Sequence, residues 1–250
     1  MTLWKRAARA ALRRVGVSAH RWPPHRFDAM PDALALLRRA GYRPRVVIDA
    51  GANEGAWATI AHSIFPEATF HLVEPQPGCR AALDALVQQF PAFAVHPIAV
   101  TRPDVPRVRL IGSGPDGRGT GAWVAGAGER DPGEIECAAT TLDALFADRI
   151  EPRDRALLKL DLEGHEAPAL AGGQRLLDVV EVALVEVRFY EIEDHDRPLF
   201  GDLLEVMRAR GFALYDFAAL AGRPRDLRLR TGDAIFVRRD SPLAADRAWQ

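Results

Sequence analysis

The feature that most constrains the fold is an alternation of short branched apolar runs with single amphipathic segments, clearest in "VVIDAGANEGAWATI", Val46 to Ile60. A β-branched run of this length suits a buried strand. Gly51 and Gly55 interrupt it, and the pattern that follows suits a helix stopped by Pro66. The alternation continues through "ATFHLVEP" as a second strand, "GCRAALDALVQQF" as a helix and "AFAVHPIAV" as a third strand. It resumes with "ALLKLDLEG", "HEAPALAGGQRLLD" and "VEVALVEVRF" as strand, helix and strand. Strands joined by single helices predict an α/β, Rossmann-like, mostly parallel sheet with right-handed crossovers. After a helix through "FGDLLEVMRARG", the strand-like "FALYDF" and "GDAIFVRR" have no helical pattern between them, so the sheet should end in a C-terminal antiparallel hairpin.

This pattern divides the chain into a basic helical extension over 1–44, a main domain over 45–240 and a tail over 241–250. Residues 101–140, rich in Gly, Pro and charge, carry only the strand-like "VRLIG" and "GAWVAG" and read as a hairpin insertion. With 48% hydrophobic and 27% charged residues and a formal net charge of −1, the composition is that of a globular chain and gives no support to generic nucleic-acid binding. Cys79 and Cys137 form no CxxC, which argues against a disulfide framework or a cysteine zinc site and suits a reducing, cytoplasmic compartment. No apolar run approaches the roughly 18 residues of a membrane span. Seven basic residues nevertheless precede the first acid, Asp28. On a helix, Trp4, Ala8, Ala11, Leu12 and Val15 would form one face with Lys5, Arg6, Arg9 and Arg13 on another, a pattern compatible with peripheral membrane contact. Alanine supplies much of that apolar face, so packing against the main domain is the preferred expectation.

Gly51 and Gly55 sit where a strand turns into a helix. A missing Cβ there lets another group approach the backbone, and the helix start offers unpaired N–H groups. In an open α/β sheet this crevice is where ligands bind. Glu74, closing the second strand, suits a carboxylate that accepts hydrogen bonds from ribose hydroxyls, so a nucleoside-bearing cofactor is expected. The loop "DAGANEG" departs from GxGxxG, and Asp49 and Glu54 would repel a diphosphate but suit an ammonium group, which favours S-adenosylmethionine over a dinucleotide.

A second acidic cluster follows the fourth strand in "LLKLDLEGHEAPALAGG", Leu157 to Gly173. Lys159, Asp161 and Glu163 share a face by the period of two, and Glu186 ends the fifth strand. Three roles stay open for this cluster. His165 could be a general base, its pKa raised by Asp161, Glu163 and Glu166. Asp161, Glu163 and Glu186 could instead hold a divalent cation such as Mg²⁺. Alternatively, the acids only cap the next helix.

With these segments in hand, the sequence resembles the FkbM family of S-adenosylmethionine-dependent methyltransferases. The likeness runs from Val46 to Val237 through "VVIDAGANEGAWA", "VEP", "TLDAL", "LLKLDLEGHEAPALAGG", "LVEVR" and "DAIFV". The resemblance implies a class I methyltransferase sheet of seven strands and O-methylation of a hydroxyl on a sugar, glycan or secondary metabolite. It places Asp49, Gly51, Asn53, Gly55 and Glu74 around the cofactor and Asp161, Glu163 and His165 beside the reacting groups. An NAD(P)-dependent oxidoreductase and a catalytically inert Rossmann-like binding or scaffold protein are the competing classes.

Overall fold

A computed structural model describes residues 25–114, 116–126, 128–191 and 197–245. The basic segment with its proposed membrane contact therefore lies largely outside the described residues. Strand β1 (His25–Asp28) and helix α1 (Met30–Arg39) open the described chain, and α1 ends in Gly41, whose φ of +90° closes the turn without a Cβ penalty. The main sheet then takes up β2 (Val46–Ala50), β3 (Thr69–Val73) and β4 (Phe93–His96), linked by α2 (Ala56–Ile64) and α3 (Arg80–Gln89).

After β4 the chain leaves the main sheet and builds a second one from β5 (Ala99–Val100), β6 (Arg107–Ile111), β7 (Trp123–Val124) and β8 (Ile135–Thr140), in the order β5-β8-β6-β7. The expected hairpin insertion is thus a four-stranded sheet, which also takes the end of the predicted third strand. Ala99, Val108, Leu110 and Cys137 form its own small core.

A π turn (Asp143–Ala147) leads back to β9 (Ala156–Leu160), followed by α4 (Glu166–Ala171), α5 (Gln174–Leu177), β10 (Val180–Arg188) and α6 (Phe200–Ala209). Strands β11 (Phe212–Gly222) and β12 (Leu229–Arg238) and helix α7 (Pro242–Ala245) complete the described chain. The large sheet has the order β1-β11-β12-β10-β9-β2-β3-β4. Strands β4, β3, β2, β9 and β10 run parallel, and β12 lies antiparallel between β10 and β11.

Alternating side chains of each buried strand feed two cores. Val47 and Leu157 pack with Leu34, Ala61 and Leu83 of the first three helices, while Ile48 and Leu158 pack with Leu170, Leu177 and Met207 of the later ones. The expected division at residues 44 and 45 is not a seam. Strand β1 joins the sheet edge against β11, and α1 buries Leu34 and Leu37 in the main core.

The chain winds outward from β2 to β3 and β4, then returns to place β9 on the other side of β2. This reversal opens a crevice beyond the carboxyl ends of β2 and β9.

Candidate active site

The loop after β2 is held between its neighbours by backbone hydrogen bonds. The Gly51 and Ala52 amides donate to the Val73 carbonyl at 2.9 and 3.2 Å, and the Asp161 amide donates to the Ala50 carbonyl at 3.1 Å. Gly51 has φ +86°, and a Cβ there would stand 2.0 Å from the Asp161 carbonyl oxygen. Gly55, at φ +79°, would drive a Cβ to within 2.2 Å of Leu86 Cδ1 on α3. Both glycines are required by packing within the protein. The space that sequence reasoning reserved for a ligand at Gly51 is filled by the turn after β9.

Glu74 follows β3 and is buried. Its Oε2 accepts the Asn53 amide at 2.8 Å and its Oε1 accepts the Gln76 amide at 2.9 Å. Burial raises its pKa, and these two amides offset only part of the rise. A carboxylate has about four lone-pair sites, so capacity for two further donors remains. Glu74, Gly51, Asn53, Trp57, Gln76 and Asp161 help line a cleft of about 250 Å³. Trp57 Nε1 and Gln76 Oε1 are buried without a hydrogen-bond partner among the described residues.

Asp49 does not line this cleft. It is fully buried, and its Oδ1 accepts from Lys159 Nζ at 3.1 Å. The same ammonium lies 3.1 Å from Asp161 Oδ2 and 5.4 Å from the centre of the Trp57 ring. Burial opposes the charge on Lys159, but Asp161 and Asp49 together hold it protonated, above the ordinary lysine range. Burial pushes the Asp49 carboxyl up against the pull of Lys159. The ammonium at hydrogen-bond distance favours the carboxylate form and counters that rise. Asp49 therefore anchors Lys159, and the acids that line the cleft are Glu54, Glu74, Asp161 and Glu163.

The turn after β9 brings Glu163 and His165 together at a junction. Glu163 has φ +53°, a strained value for a residue with a side chain, and it is followed by Gly164 at φ +97°. Arg188 Nη2 donates to Glu163 Oε2 at 3.2 Å, and Oε1 receives no hydrogen bond from a described residue. Burial raises the Glu163 pKa, and Asp161 adds to the shift. His165 Nε2 lies 2.9 Å from Thr101 Oγ1. Contrary to expectation, its pKa is lowered, to about 4, by burial first and then by Arg102 and Arg197. Glu166 accepts the amides of Leu162 and Gly164 at 2.8 and 3.2 Å. Burial carries its pKa to about 7. Its role is to fold the turn.

A second, wider cleft of about 1010 Å³ lies beside the first, under the small sheet. The two share Val124, Glu163 and His165 in their linings. Carboxylate oxygens of Asp161, Glu163 and Glu186 lie within 4.8 Å of one another, as their spacing in sequence allowed. Burial raises the Glu186 pKa well above its ordinary value, with Asp161 the next largest cause. Sequence reasoning missed Trp57, Gln76, Thr101 and Arg197. The first two had a signal, since they flank the glycine loop and the acid after β3, whereas Arg197 had none.

Apart from the edge strand β1, the large sheet has seven strands, of which only the last, β12, is inserted antiparallel, and with its clefts at the carboxyl edge this is a class I methyltransferase fold. Within that class, the chain matches the Methyltransferase FkbM domain over residues 49–214 and belongs to that family. No curated protein matches the chain in sequence. Among solved structures, the methyltransferase FkbM of Methylobacillus flagellatus is 14% identical over 76% of this chain, with a TM-score of 0.45. The chain spans 43% of that protein's length. The magnesium protoporphyrin IX methyltransferase of Synechocystis is 11% identical, covers 84% of this chain and 77% of its own, and has a TM-score of 0.47. A Burkholderia thailandensis 1,6-didemethyltoxoflavin-N1-methyltransferase is 17% identical, with coverages of 84% and 78% and a TM-score of 0.45. Likenesses at this level assign neither substrate nor chemistry.

Proposed function

We propose that the chain is an S-adenosylmethionine-dependent O-methyltransferase acting on a hydroxyl of a small molecule or glycan. One observation carries this reading: the cleft beside Glu74 and the wider cleft meet at Glu163 and His165, so a cofactor and an acceptor would touch the same two side chains. The donor set fits the cofactor. Glu74 retains acceptor capacity for ribose hydroxyls, Trp57 and Gln76 carry unspent polar atoms, and Asp161 offers a carboxylate to an ammonium group. When bound, S-adenosylmethionine supplies an electrophilic methyl group on a sulfonium.

The protein's own part is positioning and proton removal. Glu163 is the favoured base, because Oε1 is unengaged, the residue borders both clefts and its raised pKa makes its carboxylate more basic than an ordinary one. His165, with a pKa near 4, is a weaker base and orients Thr101 and the acceptor. Lys159 and Arg188 already supply counter-charge to Asp161 and Glu163, so the reading requires no Mg²⁺ at Asp161, Glu163 and Glu186.

Titration with S-adenosylmethionine and, separately, NAD(P) tests the cofactor. Saturable binding of the first alone is expected, and Glu74→Ala should weaken it by about 1.5–3 kcal/mol, the range for hydrogen bonds to a charged group. NAD(P) binding in its place would favour an oxidoreductase. Cofactor binding without transfer of a labelled methyl to any hydroxyl acceptor would favour an inert binding protein.

A further inference from the structure

The wide cleft carries more positive charge than its own carboxylates can neutralise. Arg102, Arg107, Arg109 and Arg197 line it together with Glu129, Glu136 and Glu163. Arg107 pairs with Glu136 at 2.5 Å, Arg109 pairs with Glu134 at 2.8 Å, and Glu163 is paired with Arg188 from below. Glu129 is engaged by the Gly126 amide at 2.7 Å and by Trp123 Nε1 at 3.4 Å.

Two guanidiniums are left. Arg102, directly after the Thr101 that contacts His165, is exposed and has no salt bridge among the described residues. Arg197 is half-buried. It donates to the Glu163 carbonyl at 2.5 Å and lies 5.3 Å from the centre of the Trp123 ring, so it is held in place without a described carboxylate within salt-bridge distance. Trp123 has Arg197 over its ring and does not line the cleft. Partly desolvated guanidiniums are rare without an anionic partner. Burial and the neighbouring Arg188 both disfavour the charge on Arg197. Both Arg102 and Arg197 also depress His165, so their fields converge where the two clefts meet.

We propose that the acceptor carries an oxyanion, phosphate or carboxylate, bound between Arg102 and Arg197 in the wide cleft, which presents a neighbouring hydroxyl to Glu163. Guanidinium forks match such groups geometrically, and a cleft whose lining carries an excess of one sign of charge concentrates the opposite sign. This inference deepens the O-methyltransferase reading and rests on it for the hydroxyl, but the anion site can be read by binding alone.

The test is calorimetric titration of the full chain with glucose 6-phosphate, glucuronate and neutral glucose. Titration with S-adenosylhomocysteine is run separately. At least one of the two anionic sugars should bind about tenfold or more tighter than glucose, as expected for charge-assisted hydrogen bonds. The phosphate and carboxylate arms show which oxyanion is preferred. Arg102→Glu and Arg197→Ala should each erase the preference while keeping S-adenosylhomocysteine affinity, and Arg197→Lys should restore part of it. Equal binding of glucose and both anions, no saturable binding of either anion, or an undiminished preference in Arg102→Glu would overturn the proposal. Absent S-adenosylhomocysteine binding beside a clear anion preference would instead remove the methyltransferase reading and leave the anion site standing.

Discussion

Replacing Gly51 with alanine separates two explanations of the glycine loop. If the missing Cβ makes room for a ligand, the apoprotein should tolerate the change and lose only binding. The geometry predicts the opposite, because the new Cβ would lie 2.0 Å from the Asp161 carbonyl oxygen at a φ of +86°. The left-handed conformation costs an alanine about 1–2 kcal/mol. Relieving the overlap means moving the backbone that joins β9 to its turn, and overpacking of that kind costs about 1–3 kcal/mol. Together these give a destabilisation of roughly 2–5 kcal/mol before any ligand is added. Asp161 and Glu163 would shift with that turn, so binding should weaken as well. Chemical denaturation of the apoprotein reads the first effect and titration with S-adenosylhomocysteine the second. An unchanged denaturation midpoint with abolished binding would refute the packing argument and return Gly51 to the ligand.

The remaining expectations concern the acids and the buried lysine. Glu163→Gln should lower kcat by about 10² to 10⁴, the usual contribution of a positioned base, and His165→Ala should lower it less. Below its raised pKa, Glu163 holds a proton and cannot accept another, so wild-type activity should climb with pH along a limb above the ordinary glutamate value of about 4.3. A limb near 4 that vanishes in His165→Ala would pass the base role to His165. Lys159→Met leaves Asp49 buried and uncompensated, and breaking a buried pair in this way costs about 3–5 kcal/mol. Adding Asp49→Asn should recover part of that loss, whereas no recovery would mean that the lysine acts through Asp161 alone. Exhaustive chelation should leave turnover unchanged, and a loss restored by Mg²⁺ would place a cation among Asp161, Glu163 and Glu186.

Much of this architecture was legible in the chain, because strand and helix periods are local properties. The branched runs at Val46, Thr69, Ala156 and Val180 are strands in the structure, and the helices fall between them. "DAGANEG" and "KLDLEGHE" lie at the same carboxyl edge because each follows a strand of the same parallel sheet, as the alternation implied. What local pattern could not determine was which strands become neighbours and how far water is excluded. Placing β9 against β2 brings Lys159 to Asp49 across more than a hundred residues and fills the space at Gly51 with Asp161. The small sheet assembles from pieces of two to six residues, of which, within 101–140, only those in "VRLIG" and "GAWVAG" read as strand-like in the chain. The sign of the His165 shift was likewise tertiary. The acids near it in sequence argued for a higher pKa, but burial together with Arg102 and Arg197 sets a lower one, since desolvation and charges distant in sequence act through space.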